Sequence, residues 1–205
     1  MSYKIGILVI STSHNRKWLN IKNSYLYTIF LKSFLSTIDI EHTYTVYIGI
    51  DKDDPILDNI EQQHEINRFS KVFKHVNFKF IIFNKDIKKG HVTKMWNIIH
   101  KIAYNENCHY FYQCGDDIRF TTKGWINDCI KTLKDNNNIG LTGPLNNNSQ
   151  ILTQSFVSRK HMEIFGWYFP EDIPNWGSDD WYNHVYKPNY FYPLLSFQLK
   201  HYCLT

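Results

Sequence analysis

The apolar positions of this chain follow two periods in turn. Ile5 to Ile10 is a nearly unbroken apolar run, the kind that fills a strand buried on both faces, and it ends in a polar loop, Ser11-Thr12-Ser13-His14-Asn15-Arg16. From about Asn20 to Phe34 the spacing turns helical, with Ile21, Tyr25 and Ile29 on one face and Leu26, Phe30 and Phe34 beside them. A second strand is expected from Tyr44 to Ile50, a polar helical stretch over 56–75, and a third strand from Phe78 to Phe83. Gly90-His91 breaks the chain before Val92, Met95, Trp96, Ile99, Ile102 and Ala103, whose spacing predicts a helix over Val92–Tyr104. Tyr110 to Cys114 reads as another buried strand, and Trp125, Ile126, Cys129, Ile130 and Leu133 as another amphipathic helix.

The second half is less regular. Short strands are expected over Ile139–Thr142 and Ile151–Val157, and Ser158 can cap a short helix that ends at Gly166. Ser178 reads as the cap of a further helix, and Tyr190 to Leu199 is the last strand-like run. Strands that alternate with helices predict an α/β protein with a mostly parallel central sheet flanked by helices.

The chemistry gathers where these strands end. Gly115-Asp116-Asp117 follows the Tyr110–Cys114 strand, and Asp51-Lys52-Asp53-Asp54-Pro55 follows the second. Carboxylates at the carboxyl ends of strands sit where open α/β sheets bind ligands. Two adjacent carboxylates repel, and a hard divalent cation, Mg²⁺ or Mn²⁺, relieves this and can bridge to nucleotide phosphates. Gly-Asp-Asp is also ordinary turn chemistry. Lys94 and Asn97 lie near the start of the Val92–Tyr104 helix, where the dipole favours an anion. Late in the chain, Asn175-Trp176-Gly177-Ser178-Asp179-Asp180-Trp181 sets two acids between tryptophans. Aromatic platforms beside a carboxylate can hold a sugar ring and deprotonate it at its edge.

Composition narrows the classes. With 205 residues, 43% hydrophobic and 17% aromatic, the chain can bury the core of a single domain. The net charge of +4 is scattered, which suits an anionic small substrate and gives no nucleic-acid tail. Cys108, Cys114, Cys129 and Cys203 show neither zinc spacing nor a disulfide framework, as expected of reduced thiols. No signal peptide or spanning helix is read from the sequence, so a cytoplasmic location is expected. Asn136-Asn137-Asn138 and Asn146-Asn147-Asn148 mark two polar loops.

Taken together, these motifs resemble the nucleotide-sugar glycosyltransferases of the GT-A type, with their Rossmann-like sheet, including glycosyltransferase-like proteins of large DNA viruses and protists. The resemblance covers roughly residues 3–186 and rests on the order and spacing of the Thr12-to-Arg16 loop, Asp51, Lys94 with Asn97, Gly115-Asp116-Asp117, and Asp179-Asp180-Trp181. It implies one GT-A domain, with a nucleotide-sugar-binding half over about 1–120 and an acceptor half over about 121–205. It implies metal-dependent transfer of a sugar, with inversion, from a nucleotide diphosphate sugar such as a UDP-sugar to a hydroxyl of a glycan or other acceptor. Thr12, Ser13, Arg16, Asp51, Lys94, Asn97 and Asp116 would bind the donor, with Asp51 reading the nucleoside and Asp116 the ribose or sugar. Asp117 would hold Mn²⁺ or Mg²⁺ together with a late histidine, His201 in preference to His184. Asp180, with Asp179 beside it, would take the acceptor proton, and Trp176, Trp181 and Arg159 would contact the acceptor. Gly115 stands where many relatives carry the first aspartate. A nucleotidyltransferase would share sheet, metal and nucleotide but calls for a glycine-rich loop, and Ser11 to Arg16 has no glycine. A sugar-binding module without activity is the third reading.

Overall fold

The computed structural model describes residues 1–84, 87, 90–145 and 150–202. Eight strands form one sheet in the order β3-β2-β1-β4-β7-β6-β8-β5. The first half is parallel: β1 (Lys4–Ile10) lies between β2 (Thr43–Asp51) and β4 (Tyr110–Gly115), with β3 (Val76–Phe83) outside β2. The apolar runs of β1, β2 and β4 are buried almost throughout, as strands covered on both faces must be. β3 alternates buried Val76 and Phe78 with exposed Asn77 and Lys79, as an edge strand does.

The sheet turns mixed past β4. There β7 (Ser155–Ser158) pairs antiparallel with β4 and β6 (Leu141–Leu145), β6 pairs parallel with β8 (Phe191–His201), and β8 pairs antiparallel with β5 (Ile118–Phe120). The expected α/β fold with its parallel core is present, and the antiparallel pairs are confined to the second half, beside the parallel β6–β8 pair. β6 is reached through α5 and runs parallel to β4, whereas the link from Leu145 to Ser155 is too short for the helical crossover that a parallel neighbour requires, so β7 runs antiparallel between them. β5, three residues in the turn after the acidic pair, was too short to show a period.

Helices cover both faces. The segment 21–37 and α5 (Trp125–Asp135) pack on the face of Ile5, Ile7 and Val9, and α4 (Val92–Asn105) on the face of Leu8, Tyr47 and Phe111. The single helix expected over Asn20–Phe34 is broken into a 3₁₀ turn (Ile21–Asn23), a π-helical stretch (Leu26–Leu31) and α1 (Lys32–Thr37). Hydroxyls compete for its carbonyls: Ser24 Oγ donates to the Ile21 carbonyl at 2.6 Å, and Thr28 and Ser33 hydroxyls bond back to Ser24 and Ile29 at 2.8 Å. The polar stretch 56–75 holds α2 (Ile60–Asn67) and α3 (Phe69–Val72). Ser158 caps α6 (Arg159–Phe165) by accepting from the Lys160 N–H, and Gly166, at φ +78°, closes it. In α7 (Ser178–Tyr186) the cap is Gly177, at φ +88°, and Ser178 is the first helical residue. Cys108, Cys114 and Cys129 are buried and free of disulfides; Cys203 and the Asn146–Asn148 loop lie outside the described residues.

Two histidines sit in the α4 layer. His161 Nε2 donates to the Tyr168 carbonyl at 3.0 Å, so Nδ1 is the acceptor for the Tyr186 hydroxyl at 2.7 Å. Burial lowers His161 to about 4 and holds His100, which packs edge-on to Phe111 and Tyr168, well below its ordinary range. A histidine kept neutral in the fold contributes stability that is present above its unfolded value of about 6.5 and is lost as the pH falls from there toward 4. Chemical denaturation at pH 7 and pH 5 should therefore show the advantage of wild type over His161→Gln shrinking by about 2 kcal/mol at the lower pH. An unchanged advantage would place the proton elsewhere.

Candidate functional site

The strand order places a topological switch point between β1 and β4, since β2 lies to one side of β1 and β4 to the other. Ile10 pairs with Gly49 on β2 and with Gly115 on β4, so the chain leaves all three strands at one level. Ser11 and Asp116 then lie side by side, and Ser11 Oγ donates to Asp116 Oδ2 at 2.6 Å. Burial pushes the Asp116 carboxyl up to about 7; the Ser11 hydrogen bond and the Arg16 charge pull down, and the Asp117 carboxylate pushes further up. A carboxylate this costly to ionise is one that a cation would stabilise.

Asp117 is held from the other side. β8 runs back along β5, pairing His201 with Ile118, and this brings His201 Nε2 to 3.4 Å from Asp117 Oδ1. His184 lies instead on the last turn of α7, in a different groove. A β-carbon on Gly115 would stand 2.8 Å from Asp117 Oδ1, so the glycine is what lets the Asp117 carboxylate fold over the backbone. Among the described residues no three histidine, cysteine or acidic side chains gather as a metal cage. An Asp–His pair could supply two ligands, one oxygen and one imidazole nitrogen, to a divalent transition ion such as Mn²⁺, leaving its other positions to substrate oxygens and water.

The Thr12-to-Arg16 loop is fixed by a residue that the motif reading passed over. Asp54, 2% exposed, accepts from Thr12 Oγ1 at 3.2 Å, Ser13 N at 2.7 Å, Ser13 Oγ at 2.5 Å, Ile56 N at 3.1 Å and Leu57 N at 2.7 Å. These bonds outweigh burial and lower its carboxyl. The hydroxyls of Thr12 and Ser13, expected to bind the donor, are thus spent on Asp54 and shape the loop. Arg16 lies 5.1 Å from the centre of the Tyr25 ring, and Asp51 is half-buried at the end of β2, where its carbonyl accepts the Asp54 N–H at 3.2 Å and its carboxylate has no hydrogen-bond partner among the described residues.

The acceptor-side elements reach the same end of the sheet. Because β7 runs antiparallel to β4, the residues leading into it lie at the carboxyl end of β4. Asn183 clamps that segment, accepting from Leu152 N at 2.8 Å and donating to its carbonyl at 2.7 Å, and Tyr182 O–H donates to the same carbonyl at 2.8 Å. The first turn of α7, with Asp179 and Asp180, is thereby held against the segment that leads into β7. Asp179 is partly buried, its carboxyl raised by burial and by Asp180, and its Oδ1 accepts the Asp180 N–H at 3.1 Å. Asp180 is exposed and lines, with Trp181, Lys187, Ile151 and Ile173, the groove of about 450 Å³ that also holds His184, distinct from the Asp117–His201 pair. Trp181 leans on Trp167 and Phe165, while Trp176 is 93% exposed.

Two expected contacts are corrected. Asn97 accepts from Tyr168 N and Phe169 N at 2.9 Å and donates to the Phe169 carbonyl at 2.9 Å, so its amide anchors the 168–171 segment and is not open to a donor. Arg159 follows β7 at the far end of the sheet, beside the start of β4, where Nη1 donates to the Tyr104 and Cys108 carbonyls at 2.9 Å each; it cannot reach an acceptor at Asp180. Lys94 stays on the first turn of α4, half-buried, and its ammonium has no hydrogen-bond partner among the described residues. The neighbouring Thr93 N–H is already capped by the Pro174 carbonyl at 3.2 Å.

This arrangement is the Rossmann-like GT-A glycosyltransferase fold. Solved structures of TarS from S. aureus share it. TarS 1-349 superposes with a TM-score of 0.62 at 14% identity over 95% of this chain, and its UDP-GlcNAc complex with 0.62 at 13% over 96%. The UDP complex gives 0.61 at 12% over 96%. The chain spans 58–60% of those chains and 36% of a longer TarS structure. No protein-family model matches the sequence, and no curated protein does. No helix among the described residues is long and apolar enough to cross a membrane.

Proposed function

We propose that the chain is a metal-dependent glycosyltransferase that moves a sugar, with inversion, from a nucleoside diphosphate sugar to an acceptor hydroxyl. What supports this most is the convergence of Ser11–Asp116 and Asp117–His201 at the switch point of a sheet whose fold TarS shares, a protein solved with UDP and with UDP-GlcNAc. The half before about residue 120 would bind the donor, Asp51 accepting from the nucleoside and Asp116, aligned by Ser11, from the ribose or sugar. Asp117 and His201 would hold Mn²⁺ or Mg²⁺, completed by diphosphate oxygens. When bound, the ion supplies Lewis-acid neutralisation of the leaving diphosphate. Asp180 would accept the acceptor proton as the acceptor oxygen bonds to the anomeric carbon and the bond from that carbon to the diphosphate oxygen breaks. Trp176 and Trp181 would flank the acceptor.

Incubation with a panel of nucleotide sugars and Mn²⁺, read as released nucleoside diphosphate, tests the reading. Release with one or more sugars is expected, and release of pyrophosphate from nucleoside triphosphates instead would make the chain a nucleotidyltransferase. Calorimetry should show UDP binding at least tenfold more tightly with Mn²⁺ than without, and Asp117→Ala should lose that difference. Equal affinities in all four conditions would remove the metal from the proposal.

A further inference from the structure

Arg159, at the end of the sheet away from the acidic turn, lines a second cavity. At the opposite end of the sheet from Asp116, a space of about 240 Å³ is bounded by Tyr3, Tyr110, Lys134, Ser158, Arg159 and Lys160. It is roughly eight times the volume of a liquid water molecule, enough for one small ring with a charged substituent and too little for a dinucleotide.

Its chemistry is one-sided. Arg159 is held rigidly by its Nη1 bonds to two carbonyls and by lying 3.8 Å from the centre of the Tyr104 ring. That leaves Nε and Nη2 without a protein partner among the described residues, and neither is sealed from solvent. Lys134 is exposed at the other side, its ammonium 5.9 Å from the Tyr3 ring. The acid of the rim, Glu163, is already paired with Lys160 at 2.8 Å. Two cations therefore face the cavity without a carboxylate among the described residues to neutralise them. Between them stand Tyr3 and Tyr110, edge to face at 5.3 Å, and the Tyr110 hydroxyl, which donates to Asn138 and so is left as an acceptor; the Ser158 hydroxyl donates to the Asn138 carbonyl and accepts the Lys160 N–H, with one lone pair to spare. A preorganised guanidinium and a mobile ammonium around an aromatic wall with hydroxyl acceptors recognise an anionic group on a ring whose C–H face stacks and whose hydroxyls donate.

We propose that this cavity binds a small sugar-like ring carrying a phosphate or a carboxylate, at a site separate from the catalytic crevice. The site stands on its own residues and does not depend on glycosyl transfer.

Amide NMR of the ¹⁵N-labelled chain, titrated separately with glucose 6-phosphate, glucuronate, glucose and inorganic phosphate, tests it. Saturable shifts at Tyr3, Lys134, Asn138 and Lys160 are expected with glucose 6-phosphate or glucuronate, at concentrations at least tenfold below those that glucose or phosphate requires; which of the two binds tells phosphate from carboxylate. Lys134→Glu, an exposed change that leaves the packing intact, should weaken that binding at least tenfold with thermal stability unaltered. No saturation by about 10 mM overturns the site, as does equal affinity in Lys134→Glu. Inorganic phosphate binding as tightly as the sugar phosphate would overturn the ring-binding part.

Discussion

Asp180→Asn is expected to slow sugar transfer by about 10²–10⁴-fold, the range for losing a general base, while UDP affinity and thermal stability stay near wild type. The two acids of α7 are adjacent, so their side chains point about 100° apart and only one can serve the acceptor. Asp179 is the partly buried one, and its carboxylate accepts the N–H of its neighbour, which is positioning work within the turn. Asp180 is exposed in the groove walled by Trp181. Asp179→Asn should therefore act mainly on KM for the acceptor, because a group that only positions substrate affects binding more than the chemical step. A kcat that collapses in the Asp179 variant and survives in the Asp180 variant would reverse the assignment. Donor hydrolysis and UDP binding, measured beside transfer, separate a lost base from a lost donor site.

Asp54→Ala should be the most damaging single change outside the hydrophobic core, costing about 3 kcal/mol or more. One buried carboxylate satisfies donors from both sides of the loop, and its removal strands Ser13 N, Ile56 N and Leu57 N away from water. Those bonds depend on charge as well as shape. Asp54→Asn, nearly isosteric, should recover part of the loss, since it can accept some of the bonds but brings two unwanted donors. The variant should also lower UDP affinity, because the loop that it loosens carries Arg16 and begins at Ser11. Urea denaturation of both variants checks the stability, and a loss in Asp54→Ala no larger than that of an exposed aspartate would show that the loop holds itself.

Much of this architecture was legible because buried parallel strands and amphipathic helices write strong periods into sequence. Ile5–Ile10, Tyr44–Ile50 and the Val92–Tyr104 helix differ from the observed elements by one or two residues at their ends. The second half was harder because its strands are short and its sheet changes direction. Neither β5 nor the antiparallel course of β7 leaves a period to count. The acids at strand ends were visible as residues, and their partners were not. Ser11 becomes a partner of Asp116 only once β1 and β4 are known to be neighbours in register. Asp54 looked like one more acid in an Asp-Pro turn until its burial was seen. Arg159 and Asn97 mislead for the complementary reason, since a polar side chain in the right part of the chain can be consumed by backbone groups that only the fold brings near.

The return of β8 to the acidic turn carries a consequence for how this protein comes to life in time. Ser11 and Asp116 are 105 residues apart, and Asp117 waits for a histidine separated from it by more than a third of the chain. Contacts of such long range form only after large loops have closed, which is the slow part of folding. The helices and the β1-β2-β3 layer can assemble from near neighbours, whereas the crevice exists only when the final strand has docked. Refolding followed by circular dichroism should then run ahead of the recovery of UDP binding, and a ligand added early would find a nearly complete fold with no site in it.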